Sequence, residues 1–191
     1  YVNKLSSCSK LFNETLEEIH SASQTLDGSR LYCLRGDMKF SIYYLNVMNG
    51  KWRTLIEIPE LHNFSGTAVI GKKIYFCGDE TEESFNLKMF DCEHETWTTL
   101  CPIPLDIGNF KMTTLNGLIY IAGGYRLSTL SPVSNVFQYS PTTNEWTEVE
   151  RMKQERCGQQ LVTLNGLIYA IGGRNDETVE CYNPVTNRWN Y

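Results

Sequence analysis

The 191-residue sequence contains no hydrophobic run approaching the roughly 18 apolar residues that a membrane-crossing helix needs. Its first residues also lack the basic-then-apolar order of a secretion signal, so neither a membrane segment nor an export signal is expected. There is no excess of positive charge. Lys and Arg total 17 against 22 Asp and Glu, the formal net charge is −5, and the cations are scattered singly. A stripe that tracks phosphates is therefore not expected, and nucleic acid is not the expected partner. Histidine is scarce: His20, His62 and His94 stand far apart, with no cysteine at ligand spacing. The 7 cysteines, at positions 8, 33, 77, 92, 101, 157 and 181, are odd in number and include no Cys-x-x-Cys pair. Grouped ligands are what a zinc site requires, so no metal and no cofactor are expected. Most of these cysteines sit in apolar alternating runs, which reads as buried free thiols in a reducing compartment and points to the cytoplasm.

Catalytic signatures are missing as well. No Gly-x-Ser-x-Gly, His-Glu-x-x-His or phosphate-loop sequence occurs. Carboxylates cluster in "DETEE" (79–83) and "NDETVE" (175–180), but acidic loop residues of this kind read as solvated turn formers. The chain is expected not to be an enzyme.

What the sequence does have is enough apolar residue, 41% against 20% charged, to bury a sizeable core, and a repeat. "TLNGLIYIAGG" at 114–124 returns as "TLNGLIYAIGG" at 163–173, and weaker copies read "LDGSRLYCLRGD" (26–37) and "VIGKKIYFCGDE" (69–80). Tyr32, Tyr75, Tyr120 and Tyr169 are spaced by 43, 45 and 49 residues, and Trp52, Trp97, Trp146 and Trp189 alternate with them. Such a period marks solenoids, propellers or arrays.

The texture within each copy is β. Short runs rich in β-branched and aromatic residues are bounded by Gly, Asn, Pro and Thr. Asn116-Gly117 and Asn165-Gly166 suit a tight hairpin turn, Asp27-Gly28 fills that slot in the first copy, and Gly71-Lys72 fills it in the second. Each copy then reads as four strands: one before the hairpin, one through the tyrosine, one through Leu45, Phe90, Tyr139 or Tyr182, and one starting at the tryptophan. A four-stranded meander of this length is a propeller blade.

The rhythm Tyr120, Gly123, Gly124, Tyr139, Trp146, repeated as Tyr169, Gly172, Gly173, Tyr182, Trp189, resembles the kelch repeat. The second copy departs from it, with Gly78 followed by Asp79, and the first has Arg35 before Gly36. The resemblance covers about residues 20 to 191 and implies an all-β, kelch-type β-propeller of four-stranded antiparallel blades, with repeats at about 20–58, 64–104, 109–152 and 156–191. Residues 1–19 look like a degenerate remnant of one more copy, so the chain is expected to be a single propeller domain or part of one.

Spacing separates frame from variable surface. Each tryptophan precedes the next tyrosine by 23 residues, whereas tyrosine to tryptophan within a copy takes 20, 22, 26 and 20. Length therefore changes in the loop after the glycine doublet, where exposed backbone tolerates it. In the kelch family, peptide contacts often come from the residue after the doublet and from the short turn into the first strand. The resemblance places the first set at Asp37, Glu80, Tyr125 and Arg174, with Arg126 and Asn175 adjacent. The second set falls at His20, Asn63, Gly108 and Cys157.

The resemblance further implies a non-catalytic module that binds a protein or peptide at a loop face. It is most similar to the substrate-recognition domain of BTB-kelch adaptors for cullin-RING ubiquitin ligases, with the cullin attached through a BTB domain outside this chain. A cytoskeletal, actin-associated kelch protein is the alternative, and a copper-oxidase propeller, which needs histidine and tyrosine ligands, ranks third.

Overall fold

A computed structural model describes residues 19–23, 30–36, 40–46, 48–58, 66–77, 86–174 and 176–191. Among these, every regular element is a strand, and the chain divides into two compact units, Tyr1–His62 and Asn63–Tyr191. The first unit holds one antiparallel sheet, blade one, in the order β1 (Ile19–Ser23), β2 (Arg30–Gly36), β3 (Phe40–Asn46), β4 (Lys51–Ile58). In the second unit, blade two runs β5 (Gly66–Ile70), β6 (Lys73–Cys77), β7 (Asn86–Asp91), β8 (Thr96–Pro102). A two-residue strand β9 (Ile107–Gly108) precedes blade three, whose strands are β10 (Lys111–Leu115), β11 (Leu118–Ala122), β13 (Val136–Ser140) and β14 (Glu145–Val149). The loop strand β12 (Tyr125–Arg126) pairs with β9. Blade four comprises β15 (Gln160–Leu164), β16 (Leu167–Ile171), β17 (Val179–Asn183) and β18 (Arg188–Asn190). The expected all-β class and four-stranded antiparallel blades are both present.

The hairpins form for the reason their sequences suggest. Asn116 and Gly117 take φ of 53° and 75°, and Asn165 and Gly166 take 51° and 76°. Two successive positive angles match the right-handed twist of the flanking strands. In blade two, Gly71 alone carries the positive angle, 57°. The Asp27-Gly28 turn and residues 1–18 lie outside the described residues.

Blade three is buried on both faces, which explains why "LIYIA" shows no polar alternation. Ile119 and Ile121, with Met112, Phe137 and Tyr139, face blade two and meet Ala68, Tyr75, Cys77 and Leu87. Tyr120 and Ala122, with Leu115 and Val136, face blade four and meet Leu161, Ile168, Ala170, Tyr182 and Trp189. Period-two side chains thus feed two apolar layers from a single sheet.

Polar clamps join these blades at their outer strands. Asn144 Oδ1 accepts from the Tyr139 hydroxyl (2.8 Å) and from the Cys101 backbone N–H of the preceding blade (3.0 Å). Trp146 Nε1 then donates to the Cys101 carbonyl at 3.1 Å. One junction later, Asn187 Oδ1 accepts from the Tyr182 hydroxyl (2.9 Å) and the Glu150 N–H (3.0 Å), and Trp189 Nε1 donates to the Glu150 carbonyl (2.9 Å). Both asparagines are in left-handed conformation, at φ of 56° and 51°. Gly50 and Glu95, at the matching places of blades one and two, keep positive angles of 65° and 54°, but their hydroxyl partners are replaced by Leu45 and Phe90. The tryptophans follow suit: Trp189 is 1% exposed, whereas Trp97 is 38% exposed and packs on Phe76 and Phe90 of its own blade.

The thiols are less hidden than the sequence suggests. Of the five described cysteine side chains only Cys77 is buried, and Cys92, Cys101, Cys157 and Cys181 are half-buried. These cysteines occupy turns, the end of β8 and the middle of β17, where an apolar run does not guarantee burial.

Two tests follow from the clamps. Asn187→Gly preserves the left-handed turn while leaving the Tyr182 hydroxyl and the Glu150 N–H without their acceptor, and should cost about 1–3 kcal/mol in urea unfolding. Asn187→Ala should cost about 1 kcal/mol more, because it adds the strain of a Cβ at positive φ. The second test is alkaline. Burial, reinforced by neighbouring charge, raises the Tyr139 and Tyr182 phenols from 10.0 to about 12. The folded state holds their protons where the unfolded chain has released them, so this stabilisation is intact below pH 10 and lost as pH rises towards 12. Phenolate absorbance and circular dichroism recorded together should show these two ionising with unfolding.

Candidate functional site

The loops after the glycine doublets form the candidate site, and backbone ladders hold them. Gly124 sits at φ 99°, and a Cβ there would collide with the Gly108 carbonyl oxygen, so only glycine fits where the chain leaves β11. Its N–H donates to the Arg156 carbonyl in the turn entering blade four (2.8 Å), and its carbonyl accepts from Val133 N–H (3.0 Å). Arg156 N–H returns to the Val133 carbonyl at 3.1 Å. On the other side, Tyr125 pairs with Gly108 and Arg126 with Ile107. The long loop 123–135 is therefore tied both to its own blade's entering turn and to the next blade's. Beyond those ties it closes on itself, with Arg126 N–H to the Ser131 carbonyl (2.8 Å) and Leu130 N–H to the Arg126 carbonyl (2.7 Å).

Blade four repeats the arrangement with a shorter loop. Arg174 N–H donates to the Cys157 carbonyl at 2.8 Å, the counterpart of Tyr125 against Gly108. In each of these blades the residue following the doublet thus lies against the turn entering the first strand. Tyr125 and Arg126 are half-buried, Arg174 is exposed, Gly108 is buried and Cys157 is half-buried. His20 lies in β1 of the first unit. Asp37, Asn63, Glu80 and Asn175 lie outside the described residues.

A buried charge network shapes the blade-four loop. Arg156, 1% exposed, donates through Nε and Nη2 to Glu180 Oε1 (3.1 and 3.0 Å). Its Nη1 reaches the Gly172 and Thr178 carbonyls (2.8 and 3.0 Å) and Asp176 Oδ2 (3.0 Å), and its Nη2 reaches Thr178 Oγ1 (2.6 Å). Glu180 also accepts the backbone N–H groups of Lys153 and Gln154. Hydrogen bonds from the backbone and side chain of Thr178, aided by the Arg156 guanidinium, lower the Asp176 carboxyl below the usual range. The "NDETVE" cluster was expected to be solvated; in fact Glu180 is 0% exposed. A strand position that alternates inward takes the last carboxylate into the layer, and Arg156 makes its burial tolerable.

Blade three solves the same packing problem without charge. Ile107 and Phe137 occupy the places of Arg156 and Glu180, and both are buried in the layer shared with blade two. Sequence reasoning missed Arg156 and Glu180, although "ER" before the first strand and "VE" on the third, where blade three has Ile and Phe, carried the signal. Among the described residues, no group of three or more His, Cys, Asp or Glu side chains gathers as metal ligands would.

This pairing generates a prediction. Arg156→Met leaves Glu180 buried opposite no guanidinium and should destabilise by about 3–5 kcal/mol. The double variant Arg156→Ile with Glu180→Phe copies blade three and should recover most of that loss in denaturant unfolding.

Comparison with known proteins agrees with this architecture. A family model described as the Kelch motif matches residues 108–153 and 155–191. The chain is similar to Kelch-like protein 36 of Mus musculus, at 31% identity over 73% of this chain and 23% of the relative. It is similar also to Kelch-like protein 41b of Danio rerio (29%, covering 77% of this chain and 26% of the relative) and to Beta-scruin of Limulus polyphemus (25%, covering 61% and 14%). The chain thus spans about a quarter or less of the length of these relatives. With its blades, doublets and hairpins in place, the chain carries a kelch-repeat domain of β-propeller class.

Proposed function

We propose that the chain is a non-catalytic protein-interaction module that receives a protein or peptide ligand on the loops following the glycine doublets. The observation that carries this reading is the double tethering of the loop 123–135, which presents Tyr125 and Arg126 from a pre-ordered backbone. A pre-ordered loop loses little conformational freedom when a ligand arrives. Arg174 brings a cation that engages carboxylates bidentately, and Tyr125 offers a stacking face and one hydroxyl. Gly108, Cys157, Asn63, Glu80 and Asn175 complete the proposed contact set of the second unit, and His20 and Asp37 are proposed contacts of the first unit taken by itself.

The finer reading is substrate recognition for a cullin-RING ubiquitin ligase in the cytoplasm, with the cullin held by a BTB domain supplied outside these residues. Similarity to two Kelch-like proteins supports it over the actin-associated alternative, which the similarity to Beta-scruin keeps in view. The sequence of the full-length protein discriminates between them: a BTB domain favours the ligase adaptor.

The loop assignment is tested by isolating a partner, purifying it, and measuring its affinity for the wild type and for Tyr125→Ala and Arg174→Ala. A true hot spot should lose at least about 2 kcal/mol of binding. Thermal unfolding of Arg174→Ala should stay within about 0.5 kcal/mol of the wild type, because the side chain is exposed. Unchanged affinity in both variants would reject these loops as the binding face.

A further inference from the structure

Three reversals of the chain close on the same hydrogen bond, from an N–H back to the carbonyl four residues earlier. They run from Gly50 to Asn46 (2.8 Å), from Asn144 to Ser140 (2.9 Å) and from Leu130 to Arg126 (2.7 Å). In each, the closing residue is left-handed, at φ of 65°, 56° and 55°. Gly50 meets that demand without a Cβ, and Asn144 holds the Tyr139 hydroxyl and the Cys101 N–H from the same position. Leu130 makes no comparable contact: it is 73% exposed and belongs to neither apolar layer. Among the described non-glycine residues at positive φ, five are asparagines, one is Glu95, and Leu130 is the one apolar member. A bulky L side chain is strained in this conformation.

Folding gives no reason for a leucine here. Blade three lies between blades two and four, with an apolar layer on each face, and the tip of its loop remains outside both layers. Met48 and Val185 are exposed turn residues as well, but neither has a positive φ, so each sits there without strain. The Leu130 turn is also held in place. Arg126 N–H closes its neck on the Ser131 carbonyl (2.8 Å), Thr129 Oγ1 and Ser131 Oγ lie 2.7 Å apart, and Tyr125 bridges to Pro132. Beside it the half-buried Arg126 has no ion-pair partner among the described residues. Backbone strain kept at an exposed position that the core does not use points to function.

We propose that Leu130 is an apolar anchor that enters a pocket on the partner, which makes the partner of this rim a folded protein domain. A projecting, self-closed hairpin tip is convex, and its complement is a concavity, which an extended peptide does not have. The pocket is apolar, to take the leucine out of water, and carries a carboxylate at its border for the Arg126 guanidinium. The inference rests on the reading of these loops as the binding face and adds to it the kind of partner.

The purified partner isolated for the loop variants, used intact and after tryptic digestion, supplies the two probes. Leu130→Asn should weaken binding of the intact partner by roughly tenfold or more. The same variant should raise the thermal midpoint of the chain by about 2–4 °C, because asparagine accepts the left-handed turn. The digest, at equal molar concentration, should not compete with the intact partner. Val185→Asn, at a 92% exposed turn position of blade four, should change neither affinity nor midpoint. Unchanged affinity in Leu130→Asn overturns the proposal, as does a digest that competes as well as the intact partner. A lowered midpoint in Leu130→Asn also overturns it, since the leucine would then serve the fold. Affinity lost in Tyr125→Ala or Arg174→Ala but kept in Leu130→Asn overturns the anchor and leaves the binding face standing, whereas affinity kept in all three variants overturns both.

Discussion

A tryptophan indole and an asparagine amide gripping one backbone unit of the neighbouring strand is the interaction on which the second unit depends. Sheets stacked face to face through apolar side chains can slide, because dispersion and hydrophobic burial have little directionality. The Asn144–Trp146 pair on Cys101 and the Asn187–Trp189 pair on Glu150 remove that freedom, since each fixes both the N–H and the C=O of a single residue across the junction. The tyrosine hydroxyls of the third strands complete each asparagine and tie the grip to the layer beneath it. Where blades one and two substitute Leu45, Gly50, Phe90 and Glu95, the left-handed turn survives and the grip's acceptor does not. Backbone shape and blade-to-blade adhesion are thus separable properties of one short segment.

The rim inherits its order from these junctions. Once the blades are registered, the turn entering blade four lies where Gly124 can donate to the Arg156 carbonyl, and the loop of one blade becomes part of the wall of the next. Arg156 serves two ends in that position: its carbonyl holds the preceding loop, while its guanidinium draws in Gly172, Asp176, Thr178 and Glu180. The apolar counterpart in blade three, Ile107 with Phe137, occupies the equivalent places but has no polar groups with which to organise the loop, and there the ladder between β9 and β12 takes over. Two chemistries reach one geometry.

Much of this was legible in the residues. The hairpins were readable because Asn-Gly has few other uses between two apolar runs, and the strands because tyrosine and tryptophan recur in fixed order. The doublets signalled close approach, which Gly124 against Gly108 bears out. Long-range pairing was harder to read. Nothing local in "MKQERCGQQ" announces that Arg156 will meet a carboxylate 24 residues later, because the pairing is set by where two strands fall in the blade. The Tyr-x4-Asn-x-Trp pattern at 139–146 and 182–189 was visible in principle, but its partner is a backbone group, which leaves no trace in composition. For the candidate site, spacing alone identified which loop varies, and the ladders that restrain it became apparent only in three dimensions.

Blade three takes 26 residues from tyrosine to tryptophan and blade four takes 20, and the surplus of six equals the length of the hairpin from Arg126 to Ser131. That hairpin closes on its own hydrogen bonds but stays tied to the turn entering its blade, Arg126 by its pairing with Ile107 and Leu127 N–H by its bond to the Asp106 carbonyl (3.3 Å). Chain length can therefore change at the exposed tip, Ser128 to Leu130, so the outline of the rim can be redrawn by changes in the gene that leave the four strands of the blade as they are.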